Sequence, residues 1–290
     1  MSWFMFVLSG AVIVFAGAKL SQYGDQLAEM TKLGRLWIGV VLMAAATSLP
    51  EVFTTVSAGW LNMPDLAAGD LFGAGLSNML TLGLIDLLHR RARVWQQAAL
   101  GHTLTAALAM VLTGLAAFFV LLQINVNHLG VGLGSLTLMI LYVLGMRLVF
   151  RQEDMVRRQR EQEALVEGTL AKQDAVSRRV ELQRAVGGFV ACALALLVVA
   201  PFLAWSANRI ADETGTSATF IGTSLVAITT SLPELVASIA AVRLGAFDLA
   251  VGNLFGSNAF NMAAFAFVDL AYRDGSVLSS VSTTHALTAL

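Results

Sequence analysis

Polar residues leave long gaps in this chain. Apolar blocks of about twenty residues or more, long enough to cross a bilayer as a helix, fall at 3–22, 36–60, 66–88, 100–122, 128–149, 185–206, 218–242 and 248–271. A ninth begins near His285. Short polar connections separate the blocks, apart from one hydrophilic stretch at 151–184. The pattern predicts an all-α polytopic membrane protein. Composition agrees, with 57% hydrophobic and 13% charged residues and a mean hydropathy of +0.74. No basic segment precedes the first block, which leads directly into the second, so it reads as a first span and not as a cleaved signal.

The polar residues inside these blocks repeat. Ile38 to Met79 returns as Ile221 to Met262 without insertion or deletion, at an offset of 183 residues. Thr47-Ser48-Leu49-Pro50-Glu51 becomes Thr230-Ser231-Leu232-Pro233-Glu234, and an asparagine, Asn78 or Asn261, follows each glutamate by 27 residues. Asp65-Leu66-Ala67 matches Asp248-Leu249-Ala250, and Gly69, Leu71, Phe72 and Gly73 match Gly252, Leu254, Phe255 and Gly256. The match extends to His102, Leu104 and Thr105, which return as His285, Leu287 and Thr288. Continuing the offset predicts ten helices, of which about eight and a half lie in this chain; spans nine and ten would fill about 40 further residues.

Five spans separate the start of one copy from the start of the next. An odd number makes the copies enter the membrane from opposite sides, so the fold expected is two inverted five-helix repeats. The chain then divides into a first transmembrane repeat at 1–150, a linker at 151–184 and a second, shortened repeat at 185–290. Sixteen of the 18 Lys and Arg residues fall on one side, including Lys19, Lys32, Arg35, Arg90, Arg91, Arg93, Arg243 and all those from Arg147 to Arg184. Arg209 and Arg273 fall on the other. The positive-inside rule predicts an outside N-terminus and a cytoplasmic linker in the plasma (inner) membrane. The linker, with acidic and basic residues in near balance, reads as a solvated helical connector.

An ionisable residue at the centre of a membrane helix costs roughly 3 kcal/mol, which makes Glu51 and Glu234 functional candidates. Pro50 and Pro233 remove a backbone donor and break the helix beside them, exposing carbonyls near Ala44–Thr47 and Ala227–Thr230. The hydroxyls of Thr47, Ser48, Thr230 and Ser231 add neutral oxygens next to the carboxylates. Such hard oxygen donors suit calcium or sodium and not zinc or copper. Two glutamates also supply the two negative charges that one calcium ion neutralises. Cys192, the single cysteine, excludes an internal disulfide and a cysteine metal cluster.

A second motif occupies spans three and eight. Asn253, Ser257 and Asn261 recur every four residues, on one helix face, within a segment that also carries Gly252, Gly256 and Asn258. The first copy places Asp70, Ala74 and Asn78 on the equivalent face. Small residues there allow close helix packing. Paired with the glutamate motif at identical spacing in both halves, the ladder reads as further cation ligands.

At these two motifs the chain resembles the cation/calcium exchanger superfamily, specifically its prokaryotic sodium/calcium antiporters. The resemblance implies ten helices in two inverted halves and exchange of calcium against sodium, or in some members protons or potassium. It also implies a ligand set of Glu51, Glu234, Asn78, Asn261, Thr47, Ser48, Thr230, Ser231 and Ser257 with the carbonyls of Ala44 and Ala227; Asp70 and Asn253 are possible additions. Calcium and sodium enter as transported ions, and no cofactor is implied. The partners implied are inorganic cations and the lipid bilayer, with no nucleic acid. Three departures stand out: Ala46 and Thr229 replace a glycine, Ala74 replaces a serine, and Asp70 replaces an asparagine.

Other residues receive structural readings. Asp65 and Asp248 precede spans three and eight as expected helix N-caps, and Asp86 and Asp269 are expected at the interface. His102 and His285 begin helices away from the glutamates and are not expected to bind metal. Trp37, Trp60 and Trp95 suit an aromatic belt. No GxSxG, HExxH or paired-aspartate motif appears, so an intramembrane enzyme is not expected. Two alternatives stay open: exchange driven by protons or potassium, and a transport-inactive calcium-binding membrane protein.

Overall fold

A computed structural model describes residues 1–31, 33–88, 94–128, 130–166, 175–214 and 230–289. In chain order these form α1 (Ser2–Thr31), α2 (Gly34–Trp37), a π-helical segment (Ile38–Met43), α3 (Ala44–Thr47), α4 (Leu49–Trp60), α5 (Pro64–Leu88) and α6 (Val94–Leu122). Two short antiparallel strands, β1 (Asn127–His128) and β2 (Val131–Gly132), precede α7 (Leu133–Val166) and α8 (Ala175–Thr214). Then come α9 (Leu232–Arg243), α10 (Phe247–Ala271), α11 (Val277–Ser280) and α12 (His285–Ala289).

Among the described residues α1, α5, α6, α7, α8 and α10 contain stretches long and apolar enough to span a bilayer. Gly34–Thr47 and Leu49–Trp60, bent by 46° at their junction, make one more, broken, span. Seven of the eight expected blocks are recovered among the described residues, mostly as longer helices. The described residues of the linker extend its neighbours: α7 runs on to Val166 and α8 starts at Ala175. Only α9 is described from the expected span at 218–242.

Helix α10 is the centre of the molecule. It packs against α4, α5, α6, α7, α9 and the π-helical segment, and nearly every residue from Leu249 to Phe265 is buried. Such closeness requires small residues. A Cβ on Gly39 would lie 2.6 Å from the carbonyl oxygen of Leu249, and one on Gly256 would collide with the carbonyl of Val40. Helices α1 and α8 form the largest pairwise contact, and α1 also lies on α9, where Ser21 Oγ donates to the carbonyl of Ala237 at 2.5 Å. Outward faces carry Phe15, Phe118, Leu148 and Val198, all exposed, an apolar surface suited to hydrocarbon.

Equivalent turns lead into α5 and α10. Asn62, at φ 56°, and Gly245, at φ 76°, occupy matched positions of the repeat, and both residue types tolerate the left-handed conformation. The acidic residues near these helices depart from expectation. Asp65 and Asp248 are not N-caps of their own helices; each carboxylate reaches across to the other half. Asp248 Oδ1 lies 3.2 Å from His102 Nε2, and Asp65 Oδ1 lies 3.5 Å from His285 Nε2 while accepting from Ser282 N–H at 2.7 Å. Asp269, in the last turn of α10, is fully buried in the protein, accepting from Gly132 N–H at 2.8 Å and Val277 N–H at 2.6 Å. Its carboxylate thereby satisfies one orphan donor at the start of α11 and one in β2. Trp60 is exposed beneath the guanidinium of Arg273, 5.8 Å from its ring, and Trp37 packs edge-on against Phe150.

Candidate cation site

The described helix break falls at a serine, two residues before the proline, and the equivalent serine precedes α9. Ser48 (φ −84°, ψ 2°) and Ser231 (φ −80°, ψ 1°) stand at equivalent junctions, and Pro50 and Pro233 sit in the first turns of α4 and α9. A proline is tolerated there, because first-turn N–H groups have no intrahelical acceptor. Chain direction resumes when Val52 N–H bonds to Ser48 O at 3.1 Å and Leu235 N–H to Ser231 O at 3.1 Å. The carbonyl of Ala44, expected as a free ligand, already accepts from Ser48 N–H at 3.0 Å and has Thr47 Oγ1 3.4 Å away. Ala227 lies outside the described residues.

The breaks place Glu51 and Glu234 in the first turns of α4 and α9. Aligned peptide dipoles and free N–H groups favour negative charge at that end. Both side chains are essentially inaccessible, at 0% and 1% exposure. A charge that deep must be paired, and among the described residues no Lys or Arg pairs with either glutamate or with Asp70. Glu51 and Asp70 are instead electrostatic neighbours of each other and of Glu234.

The halves interlock through equivalent residues. Ser48 Oγ donates to Glu234 Oε1 at 2.9 Å, and in the mirrored place Ser231 adjoins Glu51. Thr47 Oγ1 lies 3.2 Å from Asn253 Oδ1, and the mirrored Thr230 Oγ1 lies 3.3 Å from Asp70 Oδ1. Thr47 and Asn253 anchor the start of α4 on α10, and Gly59 against Val268 anchors its end, so the two helices run the same way.

After these bonds are made, many buried oxygens remain unpartnered. They include both Glu51 carboxylate oxygens, Glu234 Oε2, Asp70 Oδ2, Asn78 Oδ1, the hydroxyls of Ser231 and Ser257, and both amide atoms of Asn261. Such orphans are rare in folded proteins and need a cause. A dehydrated cation accounts for oxygens and not for the lone amide nitrogen. No three His, Cys, Asp or Glu side chains among the described residues gather into a metal-holding group, so any ion here is met by mixed carboxylate, amide and hydroxyl oxygens.

Two expected ligands are otherwise engaged. Thr47 Oγ1 lies 3.0 Å from Met43 O, within reach to donate to it, and Asn253 donates to Ser238 Oγ at 3.1 Å while its oxygen meets Thr47. Two partners escaped the sequence reading. Ser238 was findable, since the offset pairs it with the hydroxyl-bearing Thr55. Asn258, which accepts from Asn78 Nδ2 at 2.8 Å, stood in the second motif, but the offset pairs it with Gly75, so nothing in the repeat marked its role.

Comparison with known proteins agrees with this geometry. The family model for sodium/calcium exchanger protein matches residues 1–156 and 184–281. The chain is 29% identical over 260 residues to the inner membrane protein YrbG of Escherichia coli, covering 87% of this chain and 74% of that one. It is 39% identical over 88 residues to the sodium/calcium exchanger MaX1 of Methanosarcina acetivorans, covering 28% and 25% of the two. The structure of the sodium-calcium exchanger NCX_Mj superposes with a TM-score of 0.66 at 22% identity, over 99% of this chain and 88% of that one, a likeness of fold. The matched family model places this multi-pass membrane protein in the sodium/calcium exchanger family.

Proposed function

We propose that the protein exchanges calcium for sodium by alternating access, with one oxygen cluster serving both ions in turn. The observation that carries this is the set of buried, unpartnered oxygens drawn from both halves around Glu51 and Glu234. The ligands in this reading are Glu51, Glu234, Asn78, Asn261, Ser48, Thr230, Ser231 and Ser257, with Asp70 as an additional carboxylate. Thr47 and Asn253 brace α3 on α10 and contribute through that brace. A calcium ion balances two carboxylates; when it leaves, sodium ions or protons must restore the balance, because the bare charges are costly at such burial. Exchange follows from that requirement.

Movement is assigned to α1 and α8. They hold the largest mutual contact, and α1 also packs on α9, the helix that carries Glu234. Sliding of this pair over α9 would open the cluster to one face and then the other. In the same reading, residues 1–150 and 185–290 are the two inverted repeats, the N-terminus lies outside, and the 151–184 connector faces the cytoplasm in the plasma membrane. MaX1 and NCX_Mj carry sodium and calcium in their names, which supports the choice of ions.

The test is calcium uptake by vesicles holding the purified protein, with sodium, potassium and proton gradients imposed in turn. Uptake driven by sodium supports the reading. Uptake driven only by protons or potassium replaces the counter-ion, and calcium binding without uptake in any gradient replaces exchange with sensing.

A further inference from the structure

The halves match at most of their crossed contacts and part at one. Asn78 Nδ2 donates to Asn258 Oδ1 at 2.8 Å. Under the repeat offset Asn78 corresponds to Asn261, and Asn258 corresponds to Gly75. The residue that would hold Asn261 therefore has no side chain. Asn261 is 1% exposed, yet neither its amide nitrogen nor its amide oxygen has a partner.

The orientation of the Asn78 amide is fixed from behind. Asn258 Nδ2 donates to the carbonyl of Gly75 at 3.4 Å, so its Oδ1 is the atom turned towards Asn78. Asn78 must answer with its nitrogen, since two amide oxygens facing each other would repel. What remains is Asn78 Oδ1, a buried acceptor without a partner, held in one orientation. Asn261 lacks that hold, and its two amide ends can exchange places. Only one of those ends attracts a cation.

We infer that Asn258 is a positioning residue for cation binding, which fixes Asn78 with its carbonyl oxygen available to the ion, while Gly75 leaves the equivalent Asn261 unheld. The inference rests on reading the cluster as the cation site. Its physical basis is preorganisation: an oxygen already held in place binds without the cost of freezing an amide rotation. The two halves then contribute unequally to one site.

Space exists to restore the missing partner. A Cβ on Gly75 would sit 3.9 Å from Asn258 Oδ1, an ordinary contact. Gly75 and Asn258 also border a cavity of about 410 Å³ walled by Phe72, Leu76, Met79 and Met262, which leaves room for a side chain.

The experiment compares wild type, Asn258→Gly, Gly75→Asn and the double exchange, each as the full chain in vesicles, by the calcium concentration that half-saturates uptake. Asn258→Gly is expected to raise it about tenfold, the usual effect of losing a partner that orients a ligand. Gly75→Asn is expected to lower it about threefold, and the double exchange to return it to within about threefold of wild type. A purely structural role for Asn258 would reduce inserted protein or maximal rate and leave half-saturation in place. The inference is overturned if Asn258→Gly half-saturates within twofold of wild type, or if Gly75→Asn leaves the value unchanged or raises it. Should Asn258→Gly fail to insert, Gly75→Asn alone decides. Loss of both shifts in a working wild type sinks only this inference, whereas a wild type without calcium-dependent uptake sinks the transport reading and this one with it.

Discussion

Ser48 of the first half donates its hydroxyl to Glu234 of the second at 2.9 Å, across 186 residues of sequence. Each broken helix thus supplies part of the coordination around the other half's carboxylate. A rigid shift of one broken helix relative to the other changes the oxygens around both glutamates together. In the proposed exchanger this crossing would link cation binding to helix position, with no further element between them.

That linkage makes both glutamates indispensable. Glu51→Gln and Glu234→Gln each remove one of two charges that balance a divalent ion, and each is expected to abolish calcium uptake while membrane insertion persists. Insertion persists because a neutral amide is easier to bury than a carboxylate. Uptake assays with protein quantified in the membrane fraction check this, and near-normal exchange by either variant removes the glutamates from the site.

Asp269 is expected to matter for stability and not for ion selectivity. Its carboxylate accepts two backbone N–H groups, from Gly132 and Val277, while fully buried. Asp269→Ala leaves both donors without acceptors, at a cost of about 2–3 kcal/mol. Thermal unfolding in detergent should show a clear drop. An unchanged midpoint would mean that solvent or lipid headgroups satisfy those donors.

The two donors to Asp269 show where sequence stops. Its position near a helix end was legible, but the two donors come from β2 and α11, whose approach depends on packing. The same holds for Asp65 and Asp248: the sequence placed them at helix starts, and tertiary structure turned each towards a histidine of the opposite half. The breaks at Thr47–Glu51 and Thr230–Glu234 were legible because proline constrains its own backbone. The crossed pairs Thr47–Asn253 and Thr230–Asp70 became visible only in three dimensions, although the offset had already put their members in register.

Topology is open to direct labelling. With Cys192, the single cysteine, replaced by alanine, cysteines introduced within 151–184 should react with an impermeant thiol reagent only after the cells are opened. Sixteen of 18 basic residues on that side set the expectation. Reaction in intact cells would invert the whole assignment, including the outside N-terminus.

The asymmetry at Ala74 bears on the counter-ion. Ser257 offers a buried, unpartnered hydroxyl, and its counterpart Ala74 offers a methyl group, 1% exposed. Sodium must have its shed water oxygens replaced, and a methyl group cannot replace one. Four residues earlier stands Asp70, bonded through one oxygen to Thr230 and unpartnered at the other. That free oxygen can take a proton, so a third carboxylate in the cluster offers protons a route that an asparagine would not. Counter-transport is therefore expected to be less sodium-selective and more sensitive to pH than in a site with serine at both positions. Ala74→Ser combined with Asp70→Asn should raise sodium-driven calcium exchange and flatten its dependence on pH. The measurement is uptake against sodium at a series of pH values, and a double variant indistinguishable from wild type would show that the counter-ion is chosen elsewhere in the cluster.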